Sequence, residues 1–102
     1  MTGAAGHARH RLKGPLTSPV RLSIMAALTG VDDIEFGALR DAVEVSDSTL
    51  SKQLAALETD GYVQLRKGYV GKRPRTWVKA TKPGRQAFEE HVAALRDLLR
   101  PG

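Results

Sequence analysis

Residues 47–61 read DSTLSKQLAALETDG, and shortly after them residues 66–77 read RKGYVGKRPRTW. In the first stretch Leu50, Leu54 and Leu57 recur at spacings of four and three, the period of a helix that buries one face. Ser46-Asp47 offers an N-cap and Gly61 a C-terminal stop, which bounds this helix at about 46–60. Its other side is built from short polar groups: Ser48, Thr49, Ser51, Lys52 and Gln53. Small hydroxyl side chains let a helix backbone sit deep in a major groove, and lysine and glutamine reach base edges or phosphates. The second stretch carries five cations and no acid in twelve residues. Whether those cations are solvated or presented depends on what flanks them.

On both sides of the basic run the period changes from helical to alternating. Val63 and Leu65 mark one face of YVQLRKGYV, and Thr76, Val78 and Ala80 mark one face of RTWVKAT. Between them GYVGKRP is rich in turn formers, so the two segments predict a hairpin whose tip presents Lys67, Lys72, Arg73 and Arg75. Trp77 is out of phase with Val78; it either packs over the base of this hairpin or stacks on a base. Tyr62, just after the glycine stop, reads as packing against the helix corner.

Upstream, Ser18-Pro19 caps a helix over about 19–29, with Val20, Ile24 and Leu28 every four residues and Gly30 at its end. The acidic turn VDDIE leads through a short strand at 34–36 into a second helix over about 37–43, where Phe36, Leu39 and Val43 keep helical spacing. Downstream, Thr81 caps a last helix over about 82–99, with Pro83 in its first turn. The predicted fold class is mainly α with a small β-hairpin, in the order α-β-α-α-β-wing-β-α, forming one domain over 15–100. Residues 1–14 read as a flexible basic arm whose Arg9, Arg11 and Lys13 serve either phosphate contact or solubility.

Composition narrows the function classes. The chain has 102 residues, enough for one modest core, and a net charge of +5. The charge is segregated: residues 31–60 hold eight acids against two cations, and residues 61–88 hold eight cations and no acid. That layout points one surface at a polyanion. There is no cysteine, which removes disulfide frameworks, thiolate metal sites and cysteine nucleophiles together. His7, His10 and His91 are scattered, and no metal or other cofactor is expected. No apolar run reaches the ~18 residues of a membrane span, and the polar N-terminal stretch does not read as a signal peptide, so a cytoplasmic location is expected. No nucleophile–base constellation or phosphate-binding glycine loop appears, so an enzyme is not expected.

The stretches SPVRLSIMAAL, FGALRDAVEVSDSTLSKQLAALETDGYV and GKRPRTWVKATKPGRQAF together resemble the winged-helix transcription regulators of the MarR and ArsR type, over about residues 15–99. The resemblance implies a helix-turn-helix in which 46–60 is the recognition helix and 67–75 the wing. It implies that Ser48, Thr49, Ser51, Lys52 and Gln53 face a major groove of double-stranded DNA, and that Arg73 and Arg75, beside Pro74, enter or flank the minor groove. It also inclines Arg21 toward a phosphate rather than toward an acid of 31–60. The implied role is repression by occupying a promoter. The cysteines of metal-sensing ArsR regulators are missing, and the resemblance names no effector.

In the last helix Phe88, Val92, Leu95 and Leu99 recur at spacings of four, three and four, with Leu98 widening the stripe. That pattern either completes the core or forms a homodimer seam, and the dimer is the expectation. Two recognition helices would then lie about one DNA turn apart on a pseudo-palindrome. The competing function is a protein-interaction module that docks through the acidic 31–60 surface. RNA is a third option, against which the lack of an aromatic platform on the hairpin argues. The acids are the difficulty for DNA: Asp47, Glu58 and Asp60 belong to the recognition helix itself, so wing and arm must supply the attraction.

Overall fold

The capping residues read from the sequence begin three of the four helices in the computed structural model, which describes residues 6–100. Ser18 Oγ accepts the Arg21 N–H at the start of α1 (Pro19–Thr29). Ser46 Oγ accepts the Thr49 N–H at the start of α3 (Asp47–Thr59), and Thr81 Oγ1 accepts the Gly84 N–H at the start of α4 (Lys82–Leu99). Each such bond satisfies one of the orphan donors of a first turn. Helix α2 (Phe36–Val43) has no side-chain cap and starts one residue earlier than the spacing predicts, because Phe36 leaves β1 (Ile34–Glu35) directly into the helix.

The sheet is antiparallel, with β2 (Val63–Val70) and β3 (Arg73–Ala80) forming the hairpin and β1 on the far side of β3. Register runs from Val63 opposite Ala80 to Val70 opposite Arg73, so the ladder continues to a two-residue turn, Gly71-Lys72. The expected broad turn at GYVGKRP is therefore mostly strand. Gly71 has φ +64°, the left-handed value that the first central position of a tight II′ hairpin turn requires. Strand β1 reaches only Trp77 and Val78, so Pro74 lies on an open edge where strand proline is tolerated.

One core joins all of these elements: Ile24, Met25 and Leu28 of α1, Leu39 of α2, Leu50, Leu54 and Leu57 of α3, Val63, Val78 and Ala80 of the sheet, and Ala87 of α4. Burying a leucine of this kind contributes about 2 kcal/mol, so the α3 stripe dominates the local balance. The corner where α3, β2 and α4 meet is held by the run Thr81-Lys82-Pro83-Gly84-Arg85. Thr81 Oγ1 donates to the Gly61 carbonyl at 2.6 Å. A Cβ on Gly84 would lie 2.0 Å from the Tyr62 carbonyl oxygen, so only glycine lets α4 approach this closely. Arg85 donates to the carbonyls of Val31 (2.7 Å) and Thr29 (3.1 Å), closing the C-terminal end of α1.

The N-terminal segment differs from a free arm over the residues described; residues 1–5 lie outside them. Ala8–Arg11 forms a 3₁₀ turn beside α4. Arg11 pairs with Asp97 at 2.7 Å and Lys13 with Glu90 at 2.8 Å. The Lys13 N–H donates to His91 Nδ1 at 3.0 Å, and Leu16 is fully buried. The physical reason is complementarity: α4 carries acids on the face that this segment crosses.

Candidate nucleic-acid interface

The link between α2 and α3 sets the angle of the second helix. Glu44 adopts φ +56°, ψ +54°, and the Val45 N–H returns to the Arg40 carbonyl, which ends α2 in a left-handed residue. Arg40 bonds Asp41 (3.0 Å) and Asp47 (2.8 Å), tying the end of α2 to the first turn of α3. Those two carboxylates raise the Arg40 pKa further above its usual value. The Ser46 hydroxyl also bonds Thr49 Oγ1 at 3.0 Å and lies 3.2 Å from Ser48 Oγ, so the start of α3 carries a small hydroxyl network.

The expected recognition residues divide by position. Ser48, Ser51 and Lys52 are exposed, whereas Thr49 and Gln53 are half-buried at the flank of the helix. Gln53 Oε1 accepts from Arg21 Nε at 2.6 Å, a bond that joins α3 to α1. Arg21 therefore meets a glutamine rather than an acid of 31–60.

The wing rises from the C-terminal end of α3 through Gly61, at φ +79°, directly into β2. At its base the Arg66 guanidinium lies over the Trp77 ring, 5.7 Å from the centroid, and 3.6 Å from Asp33. Trp77 is half-buried by this arrangement, which fits packing over the hairpin base. Further out, Lys67, Lys72 and Arg73 are exposed and Arg75 is half-buried, its Nη1 donating to the Pro74 carbonyl at 3.2 Å. None of these four, nor Lys52, meets a carboxylate within 4.0 Å among the described residues. The alternation of β3 puts Arg73 and Arg75 on the opposite face of the hairpin from Lys67 and Tyr69.

Two wing residues went unremarked in the sequence. Tyr69 is 75% exposed and Val70 55% exposed, at the tip of the hairpin. Tyr69 continues the alternation of Val63 and Leu65 beyond the reach of the core, and Val70 stands on the other face opposite Arg73.

Elsewhere the structure sorts the basic region and the acidic one. Arg85 is engaged with the carbonyls of Thr29 and Val31 at and just past the end of α1, and Arg11, Lys13, Arg40 and Arg66 each have a carboxylate partner. Asp41 and Asp47 are paired with Arg40, while Asp32, Glu44, Glu58 and Asp60 are exposed and make no ion pair among the described residues. On α4, Phe88 packs against the core, Val92 and Leu95 are half-buried, and Leu98 (38%) and Leu99 (78%) are exposed. His91 is 2% exposed, and burial together with the nearby Lys13 cation lowers its pKa. Among the described residues no helix is long and apolar enough to cross a membrane.

Known proteins share this arrangement. A structure of a transcriptional regulator homologue from Pyrococcus horikoshii OT3 superposes with a TM-score of 0.79 at 27% identity, over 86% of this chain and 88% of that one. A MarR family transcriptional regulator from Silicibacter pomeroyi superposes with a TM-score of 0.64 at 27% identity, over 87% of this chain and 62% of that one. An uncharacterized protein of Methanocaldococcus jannaschii is 33% identical over 83 residues, spanning 81% of this chain and 90% of its own length. The model of the winged-helix DNA-binding domain family matches residues 20–99, and the chain belongs to that family.

Proposed function

We propose that this protein is a homodimeric transcriptional regulator that binds double-stranded DNA and represses by occupying a promoter. Helix α3 lies in the major groove and presents Ser48, Ser51 and Lys52, with Thr49 at its flank. The wing lays Lys67, Lys72, Arg73 and Arg75 along the adjacent backbone and minor groove. The observation that carries this reading is the contrast among cations. Arg11, Lys13, Arg40 and Arg66 each pair with a carboxylate within the chain, whereas the four wing cations, gathered on one hairpin, and Lys52 have no carboxylate within 4.0 Å among the described residues, as is also true of the dispersed Arg9, Lys79, Lys82 and Arg96. Cations held on a rigid two-stranded ladder without acid partners are suited to phosphate.

Part of the acidity of 31–60 is engaged within the chain: Asp41 and Asp47 share Arg40, and Asp33 lies near Arg66. The dimer rests on α4, whose terminal Leu98 and Leu99 are left uncovered in the single chain. The protein acts in the cytoplasm and needs no cofactor for this binding.

Selection from a pool of random duplexes tests the proposal. The expected product is a pseudo-palindrome with half-sites about one helical turn apart. Recovery of no enriched sequence, with no retention of duplex at low salt, overturns it.

A further inference from the structure

Gln53 is the side chain on α3 that sequence reasoning would first choose as a base reader, since glutamine can pair with adenine in a bidentate manner. Its surroundings assign it another task. The bond from Arg21 Nε is 2.6 Å, and Nε is a donor only, so the atom it meets must be the carboxamide oxygen. A bidentate adenine contact needs that oxygen and the amide nitrogen together, both directed into the groove. Here the oxygen points at α1. The helix period agrees: Ser48, Lys52, Ala55 and Thr59 follow one another at spacings of four, three and four along the exposed side, and Gln53 stands one residue round from that row, half-buried toward α1.

What the bond leaves free is on Arg21. A guanidinium has five donors in a planar fork, and Nε uses one. Among the described residues, neither terminal nitrogen of Arg21 makes a hydrogen bond and no carboxylate lies within 4.0 Å of it. The side chain is half-buried, so its orientation is restrained while the far edge of the fork is open. A planar cation fixed by its inner nitrogen, beside a helix that enters a groove, matches the two oxygens of a backbone phosphate.

Building on the DNA-binding reading above, we propose that Arg21 clamps a phosphate on the strand flanking the groove entered by α3, and that Gln53 is the positioning residue that holds the guanidinium for it. Sequence readout then falls to the exposed row of α3 and to the wing, and the Arg21–Gln53 pair fixes how deep and in which register α3 sits. A phosphate contact sets position without carrying sequence information.

The experiment is a set of equilibrium titrations of the selected duplex, and of its single-base variants, at several salt concentrations. The proteins are wild type, Arg21→Met, Arg21→Lys, Gln53→Met and the Arg21→Met/Gln53→Met double variant, with thermal melting to establish that each is folded. Arg21→Met should weaken binding uniformly across all base variants and flatten the slope of log affinity against log salt by about 0.9 per half-site. Gln53→Met should weaken binding in the same uniform way, and the double variant should bind like Arg21→Met alone. Arg21→Lys should recover part of the salt slope without recovering full affinity, because a lysine keeps the charge but not the fork. Loss of preference at one base-pair position in Gln53→Met, with Arg21→Met binding like wild type, would overturn the proposal. Failure of the wild type to bind any duplex overturns the underlying DNA-binding reading instead, and the wild-type titration separates the two cases.

Discussion

Gly84 is the residue on which the interior geometry depends most sharply. A methyl group there meets the Tyr62 backbone at 2.0 Å from its oxygen, and backbone cannot move aside as the end of a side chain can. Gly84→Ala gains helix propensity but forces α4 away from the α3–β2 corner, and we expect a net loss of about 2 kcal/mol of unfolding free energy, read as a lower urea midpoint. An unchanged midpoint would mean that α4 packs differently. His91 makes a second residue-level case. It is buried as a neutral acceptor for the Lys13 N–H, with the Lys13 cation close by and Glu90 held to that lysine. Its folded-state pKa is depressed, so below the usual histidine range near 6.5 the unfolded chain binds the proton more readily than the folded one. Stability from this group is therefore complete above about pH 6.5 and is lost as pH falls through the depressed folded value. Further acidification protonates Glu90 and Asp97, both held below the usual carboxylate range by Lys13 and Arg11 respectively, and loosens the N-terminal segment further. Unfolding midpoints at pH 7.5 and 5.5 should show the drop, and His91→Gln, which keeps an acceptor but does not titrate, should flatten its upper part.

At the scale of elements, what the sequence shows and what it hides have separate physical causes. Helix starts were legible because a cap is a local event: Ser18, Ser46 and Thr81 each bond a backbone N–H three residues on. The leucine stripe of α3 was legible because burial repeats with the helix period. The wing was legible in kind but not in extent, since Gly68 and Pro74 look like turn residues yet pair within the ladder, opposite Arg75 and Tyr69. Long-range partners were not legible. Arg85, counted with the basic region, closes the end of α1 more than fifty residues earlier in the chain. Arg11 and Lys13 read as free cations until α4 supplies Asp97 and Glu90. Of the candidate site, the recognition helix and the wing cations stand out in sequence, whereas the engagement of Gln53 by Arg21 depends on a helix packing that no local pattern encodes.

For the whole molecule, the proposed dimer and the distribution of charge carry the functional claim. Phe88 packs against the core and serves the monomer, whereas Leu98 and Leu99 contribute little to it. A Leu98→Lys/Leu99→Lys variant should therefore keep the unfolding free energy of the isolated domain within about 0.5 kcal/mol while shifting the sedimentation of the protein from dimer to monomer. A variant that remains dimeric would place the seam elsewhere. The net charge of +5 understates the attraction available to DNA, because the carboxylates of residues 31–60 are partly neutralised inside the chain while the wing cations are not. The most direct test of that claim is an anisotropy titration of the selected duplex across salt concentrations, comparing wild type with Arg73→Ala/Arg75→Ala. The account predicts that log affinity falls linearly with log salt, and that the double variant binds more weakly with a slope shallower by about 2 per wing. Equal slopes for the two proteins, or no binding at low salt, would contradict it.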